Sequence, residues 1–327
     1  QTTLKTHTAG TLINLGGTVI LGPGTYSTNP TFSITGSINL IGAGSGADPL
    51  YNTVLAETTG VPVVTISGVG PVLLQNLRVK VVSQTGLELV NASNITLNNV
   101  WVVGNNSSTA SGGNCLRMGT GSSVTNLTIA DSAFNSCDYG WYVDKHSAPF
   151  CTNTTSFDNI NVTNTRFEGN AFKGIYVEKL SNATFTNAVF LGNGLESNNN
   201  SSGRHNAGVD INLKNGTYSN ISFIDAIVIG NGLGFKEGAG MMIKARDDGA
   251  TYGSCVATLD NVQITGGVFT NNERGIRFGE PNAATLNVGP TNVTISGASI
   301  FDNVAEHLGT GSALGDRPIP WPQCRIR

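Results

Sequence analysis

"FEGNAFKGIYVEKLSNATFTNAVFLGNG", Phe167 to Gly194, nearly repeats its own opening. Phe167 is followed three residues on by Asn170, and Phe190 three residues on by Asn193. Between them, "GIYVEK" alternates, with Ile175 and Val177 on one side of an extended strand and Tyr176 and Glu178 on the other. The unit recurs along the chain. An Asn opening "N-h-x-h", with h apolar, is followed eight residues later by an apolar residue and three later by a second Asn. Asn94 leads to Val102 and Asn105, Asn159 to Phe167 and Asn170, and Asn182 to Phe190 and Asn193. Asn220 leads to Val228 and Asn231, Asn261 to Phe269 and Asn272, and Asn292 to Ile300 and Asn303. Asn126 leads to Phe134 and then to Cys137, which replaces the second Asn. The interval from Asn159 to Asn182 is about one coil of a parallel β-helix.

A second strand, opened by Gly, follows in most units: "GLELV", "GWYVDK", "GIYVEK", "GVDINLK", "GMMIKAR" and "GIRFGE". Alternation puts Leu87, Trp141, Ile175, Val209, Met241 and Ile276 on one face. Longer intervals carry insertions such as "NNSSTASGGN" and "LESNNNSSGRHNA", read as loops on one solenoid. Composition agrees. The 327 residues include 42 Gly and only 12% charged residues, and Gly, Asn, Ser and Thr do poorly in helix interiors. Hydrophobic residues at 39% argue against disorder, and a net charge of −3 offers no basic field for nucleic acid. No apolar run approaches the ~20 residues of a membrane span.

The Asn/apolar/"GIY" repeat, with "GGTVILGPGTY" (Gly16 to Tyr26) in its first turn, resembles the pectate-lyase-like right-handed parallel β-helix superfamily. The resemblance covers roughly residues 15–305. It implies an all-β, single-stranded right-handed parallel β-helix with loop insertions, one domain over 1–327. It also implies that the second Asn of each unit stacks in a turn ladder: Asn105, Asn170, Asn193, Asn231, Asn272 and Asn303. The segment 306–327, with Pro318, Pro320 and Pro322 at alternate positions, reads as a C-terminal cap. Function does not follow from the fold, because the superfamily holds lyases, hydrolases, epimerases, phage spikes and adhesins.

In enzymes of this group the groove runs along the Gly-opened strands. Aligned on their Gly, these strands give an outward column of Glu88, Arg117, Tyr142, Tyr176, Asp210, Met242 and Arg277. Two residues on, a second column reads Asp144, Glu178, Asn212 and Lys244. With coils ~4.8 Å apart, Asp144, Glu178 and Asp210 would line up as oxygen ligands for calcium. Lys244 would then serve as base and Arg277 as charge stabiliser, with Arg117, Tyr142 and Tyr176 binding substrate. Asp144 and Glu178 also have the spacing of a retaining glycosidase pair. The competing expectation is a solvated ladder of alternating charges that stabilises the stack and needs no cofactor. It is favoured because the chain lacks the "NTD", "GHG" and "RIK" set of polygalacturonases and the "DPH" of mannuronan epimerases. His7, His146, His205 and His307 are too scattered for a zinc site.

Five cysteines fit an oxidising compartment. Cys137 with Cys151 and Cys255 with Cys324 is the first pairing scheme, and Cys115 with Cys137 is the alternative. Asn94, Asn126, Asn161, Asn182, Asn220 and Asn292 form sequons, although the repeat itself keeps writing Asn-apolar-Thr. The chain opens at Gln1 without a charged-then-apolar leader, so it is expected to be a mature exported product, secreted or at a cell surface. The leading functional expectation is an extracellular structural or adhesive protein that self-associates, end to end into a filament or layer or through its loops. A calcium-dependent lyase or a hydrolase acting on an acidic polysaccharide is the second expectation, and a glycan-binding phage-type spike the third.

Overall fold

The computed structural model describes residues 17–28, 31–57, 60–105, 113–119, 121–144, 155–196, 205–235, 237–246, 256–279 and 290–310, with the short strands Thr2–Leu4 and Cys324–Ile326. Its elements are strands that pair in parallel, coil upon coil. They fall into three stacked faces. The first carries Val124–Ala130, Phe157–Thr163, Ser181–Thr186, Gly216–Ile224, Ala257–Thr265 and Thr291–Ser296. The second carries the short strands Ala133–Asn135, Arg166–Glu168, Val189–Leu191, Ile227–Ile229, Val268–Thr270 and Ser299–Phe301. The third carries the Gly-opened strands Tyr139–Val143, Lys173–Val177, Ala207–Leu213, Ala239–Ala245 and Arg274–Phe278, with Asn114–Met118 before them, where Cys115 stands in place of the Gly. The long strand Thr85–Val103 bends through all three faces, pairing in turn with strands of each. Parallel pairing also joins Thr2–Leu4 to Thr18–Leu21 and Cys324–Ile326 to Thr291–Ser296.

The inward side chains stack along the axis. Phe134, Phe167 and Phe190 lie ring over ring at 5.4 and 4.9 Å, and Phe185 stacks on Phe223 at 4.8 Å. Trp141 is fully buried and meets Phe134, Phe157 and Phe167 edge-on. Each such ring contributes on the order of 2–3 kcal/mol of burial.

The two Asn of the repeat do different work. The unit-opening Asn residues sit at a corner in the left-handed region, for example Asn126 at φ 57° and Asn220 at φ 61°. Asn adopts that region most readily among residues with a Cβ. Their exposed amides link coils, as Asn126 Nδ2 to Asn94 Oδ1 at 3.0 Å and Asn220 Nδ2 to Asn182 Oδ1 at 2.7 Å. The sequons at Asn94, Asn126, Asn182, Asn220 and Asn292 are therefore corner residues of the repeat. Asn161 is instead an exposed mid-strand residue.

The second Asn forms a buried ladder. Asn193 Oδ1 accepts from the backbone N–H of Asn170 at 3.1 Å and from its Nδ2 at 2.8 Å, while Asn193 Nδ2 donates to Phe167 O at 2.9 Å. Asn231, Asn272 and Asn303 continue the pattern. Gly140, Gly174, Gly208 and Gly240, each the second residue of its third-face strand, make room for it. A Cβ on Gly174 would stand 2.4 Å from Gly208 O and 3.1 Å from Asn193 Nδ2.

Two expectations are corrected at the start of this ladder. Asn105 is exposed and outside it, and the first donor is the N–H of Cys137, which reaches Asn170 Oδ1 at 3.1 Å. Cys137 is bonded to Cys115, so the Cys137–Cys151 pairing does not form. Asn135 O lies within 3.6 Å of Cys137 Sγ, so the bond closes the corner where the ladder lacks an amide. Cys151 and Cys255, and the side chain of Cys324, lie outside the described residues.

Candidate functional site

The strand register aligns the third face as the Gly alignment predicts. Glu88, Arg117, Tyr142, Tyr176, Asp210, Met242 and Arg277 occupy successive coils of one column. Asn212 lies beside Lys244 in the next. Their environment differs from the expected solvated ladder: Asp210, Glu178, Asn212, Lys244 and Arg277 are all buried. Tyr142, Tyr176 and Asp144 are half-buried. Buried charges must be paired or neutralised, because desolvating a lone ion costs several kcal/mol.

The structure meets that demand with three groups. Asp210 stands between two ammoniums, Lys173 Nζ at 2.5 Å from Oδ2 and Lys244 Nζ at 3.0 Å from Oδ1. Glu178 Oε1 accepts from both Tyr176 OH and Lys214 Nζ. Asn212 Nδ2 donates to Tyr176 OH at 3.0 Å, and Arg246 donates to Asn212 Oδ1 at 3.3 Å. Arg277 pairs with Glu237 at 2.7 Å. Lys179, at the edge of this face, donates to Ser122 O at 2.7 Å and to Thr155 Oγ1 at 3.0 Å.

Electrostatics follow from that packing. Burial opposes the ionised form of Asp210, yet the two lysine charges outweigh it and hold the carboxyl far below the usual range. Burial lowers the Lys173 ammonium; Asp210 resists that shift, and Lys244 adds to it. His205 is driven down to about 3 by burial and then by Lys244, so its ring is neutral beside the lysines. Burial, with Asp138 and Asp210 nearby, pushes Tyr139 up to about 12. Tyr142 and Tyr176 are raised by burial first, then by Asp144 and Glu178 respectively.

Beside these charges, on the preceding coils of the same column, lies a cluster of rings. Tyr139 is 5.1 Å from Tyr142 and 6.1 Å from Tyr176, Tyr142 is 5.6 Å from Tyr176, and Phe172 borders Tyr139 at 5.6 Å. Lys173 Nζ sits 4.3 Å from the centre of the Tyr176 ring.

The expected calcium ligands do not fit a cation. Both oxygens of Asp210 face ammoniums, and Glu178 faces Lys214 and a phenol. No group of three or more His, Cys, Asp or Glu among the described residues could hold a metal ion. Lys244 is 2% exposed and fixed on Asp210, which leaves it poorly placed as a base. Arg117 stands beside Tyr142 in the column, one coil before it.

Sequence reading missed Lys173, Lys214 and Glu237, and set His205 aside as one of four scattered histidines. Lys173 had a usable signal. It is one residue before Gly174, and the register places it in a third outward column beside Tyr139 and Ala207. Glu237 and His205 lie outside the strands and outside any repeat position.

No protein-family model and no curated protein sequence matches the chain. Solved structures do. Pectate lyase Pel9A superposes with a TM-score of 0.50 at 12% identity, over 89% of this chain and 69% of that one. PfbA, a surface adhesin of Streptococcus pneumoniae, gives 0.50 at 12%, over 95% of this chain and 89% of that one. The chain has the right-handed parallel β-helix fold. Tailspike protein 2 of Escherichia coli O157:H7 bacteriophage CAB120 also matches this β-helix at 0.50 and 12%, over 85% of this chain but 30% of its own. At such identities the likeness shows the β-helix alone.

Proposed function

We propose that this β-helix is an extracellular adhesive or structural protein that holds a polysaccharide along its third face. The observation that carries this reading is the half-buried cluster of Tyr139, Tyr142 and Tyr176 at the surface of that face. Rings arranged in this way offer apolar surface to sugar faces while their hydroxyls bond to polar groups. On the neighbouring coils, Asp210, Glu178 and Lys244 are committed to one another or to neighbours, which favours holding a ligand over transforming it. A surface adhesin and a tailspike share the fold, which is compatible with a surface role.

The test is binding of the whole chain to a polysaccharide panel, with Tyr142→Ala and Tyr176→Ala as controls. Retained binding in both variants would remove the ring cluster from the reading. Release of unsaturated product from a polyuronate would replace it with a lyase, for which Lys173, with its lowered pKa, is a better base than Lys244. Association end to end belongs to the same proposal, because the last strand of a parallel stack presents backbone groups along the axis. Filaments in electron micrographs of dilute protein would support it, and dispersed particles would count against it.

A further inference from the structure

The second face changes character along the solenoid. Each of its short strands points its middle residue inward, as Phe190, Val228 and Phe269 show, and its first and third residues outward. On the coil of Arg166–Glu168 the outward pair is an ion pair. The strands Val189–Leu191, Ile227–Ile229, Val268–Thr270 and Ser299–Phe301 follow it, and their outward positions carry no charge. Parallel register stacks these positions in two columns. Ile227 is 39% and Phe301 45% exposed, and Leu195, Leu233 and Val304 at the adjoining corner are exposed as well. The edges of the face are low. Ala188, Ala226, Gly267 and Ala298 immediately precede the four strands, and Gly192 and Gly230 follow the first two. The result is a flat apolar surface confined to the C-terminal half of one face.

We propose that these four rows pack against the same rows of a second copy of this chain, about a two-fold axis normal to the face between Val228 and Phe269. Such an axis reverses both coil order and strand direction. It sets Ile229 against Val268 of the second copy, Ile227 against Thr270, Leu191 against Ser299 and Val189 against Phe301. At the ends of the patch a large side chain therefore meets a smaller one. The low edges coincide too, with Gly230 falling opposite Gly267. Four coils at ~4.8 Å and four residues at ~3.3 Å give rows of roughly 250 Å². That area suits the dry centre of an interface burying ~800 Å² per partner, with Leu195, Leu233, Val304 and the polar corners around it. Two-fold pairing hides the whole patch at once and closes at two chains. A net charge of −3 opposes it only weakly. A sugar is the poorer occupant, because the rows offer it only the hydroxyls of Ser299 and Thr270, and Thr270 is buried. This surface is separate from the ring cluster and from the strand edges at the solenoid ends, so it is tested independently of both.

The experiment is sedimentation equilibrium of the full chain at micromolar concentration. The mass of two chains is expected, without a higher series. Ile229→Lys and Val268→Glu are each expected to weaken the pair about 100-fold or more, because each buries a lone charge at two symmetric contacts. Both positions point out of the coil, and unaltered circular dichroism checks that the variants fold. An equimolar mixture of the two variants is expected to recover the pair. In the mixed pair the introduced charges face each other, and the second contact keeps its original Ile229 and Val268. Thr128→Lys, on the first face, is expected to leave the mass at two chains. A single-chain mass for the unaltered protein overturns the proposal, and so does an open series of masses, which would indicate association end to end. Pairing that survives either substitution, or a mixture that stays at one chain, overturns it equally.

Discussion

Asp210→Asn removes the one negative charge between two ammoniums while preserving shape. Breaking a buried pair by deleting one partner costs about 3–5 kcal/mol, because the other charge is left uncompensated. Here two charges are left, but Lys173 is 12% exposed and can turn toward water, so Lys244 carries most of the penalty. The expected loss is about 3–5 kcal/mol at pH 7, read from urea unfolding followed by the fluorescence of buried Trp141. The loss must also depend on pH. With Asp210 gone, the folded-state pKa of Lys173, already lowered by burial, falls further below the ordinary value. Between the two values the unfolded chain binds more protons, so the variant's stability rises with pH, by up to about 1.4 kcal/mol per unit. The deficit should shrink markedly by pH 10. Lys173→Gln, which leaves a matched pair, should cost under about 1 kcal/mol in the same assay. A loss below 1 kcal/mol for Asp210→Asn, or one equal at pH 7 and pH 10, would refute the assignment of this group as a buried charge centre.

Asn193→Ala strips the acceptor from two Asn170 donors and the donor from Phe167 O; at ~1–3 kcal/mol per unsatisfied buried group, a loss of about 3–6 kcal/mol is expected in chemical unfolding. Gly174→Ala would place a methyl 2.4 Å from Gly208 O, and its overpacking should lower stability by about 1–3 kcal/mol, with Ala tolerated far better at Gly119, where nothing lies within 4 Å. Replacing Cys115 and Cys137 by Ser opens a link across a sequence separation of 22 and should cost about 3 kcal/mol on the chain-entropy estimate, checked by unfolding with and without reductant. Burial lowers the Lys179 ammonium to about 8, so the folded chain sheds that proton first and stability climbs between about pH 8 and 10; Lys179→Met should flatten that rise in urea midpoints.

The fold was legible because its signals are local and repeated. Asn126 and Asn220 mark corners that need positive φ, and Gly174 and Gly208 mark places where the next coil comes too close for a Cβ. Repetition made each readable. The column Tyr142, Tyr176, Asp210 followed from the same alignment and holds in the register. Asn105 shows the limit. It fits the spacing of the ladder, but the next coil offers Cys137, which has no amide and is tied to Cys115. A spacing rule reports position and cannot report whether the neighbouring coil supplies a partner.

The candidate site was harder to read for a different reason. Alternation says which side chains point outward, and on an isolated coil outward means wet. On the first face that inference holds: Thr128 and Asn161 point outward and are exposed. On the third face it fails, since Asp210 and Lys244 point outward and are buried. Burial of an outward position depends on what the rest of the chain places over it, which no two-residue period encodes. Charge chemistry inverts with that difference. In water, Lys173, Asp210 and Lys244 would be an alternating ladder worth a few tenths of a kcal/mol per pair; out of water, removing any one partner leaves a buried charge uncompensated. The sequence carried one unused pointer to this. The insertions "NNSSTASGGN", "LESNNNSSGRHNA" and "RDDGATYGS" each adjoin a third-face strand in the chain, while the turns between first-face and second-face strands stay short. In a solenoid, the face beside which insertions accumulate is the one where outward residues should be examined as a site before they are dismissed as a ladder.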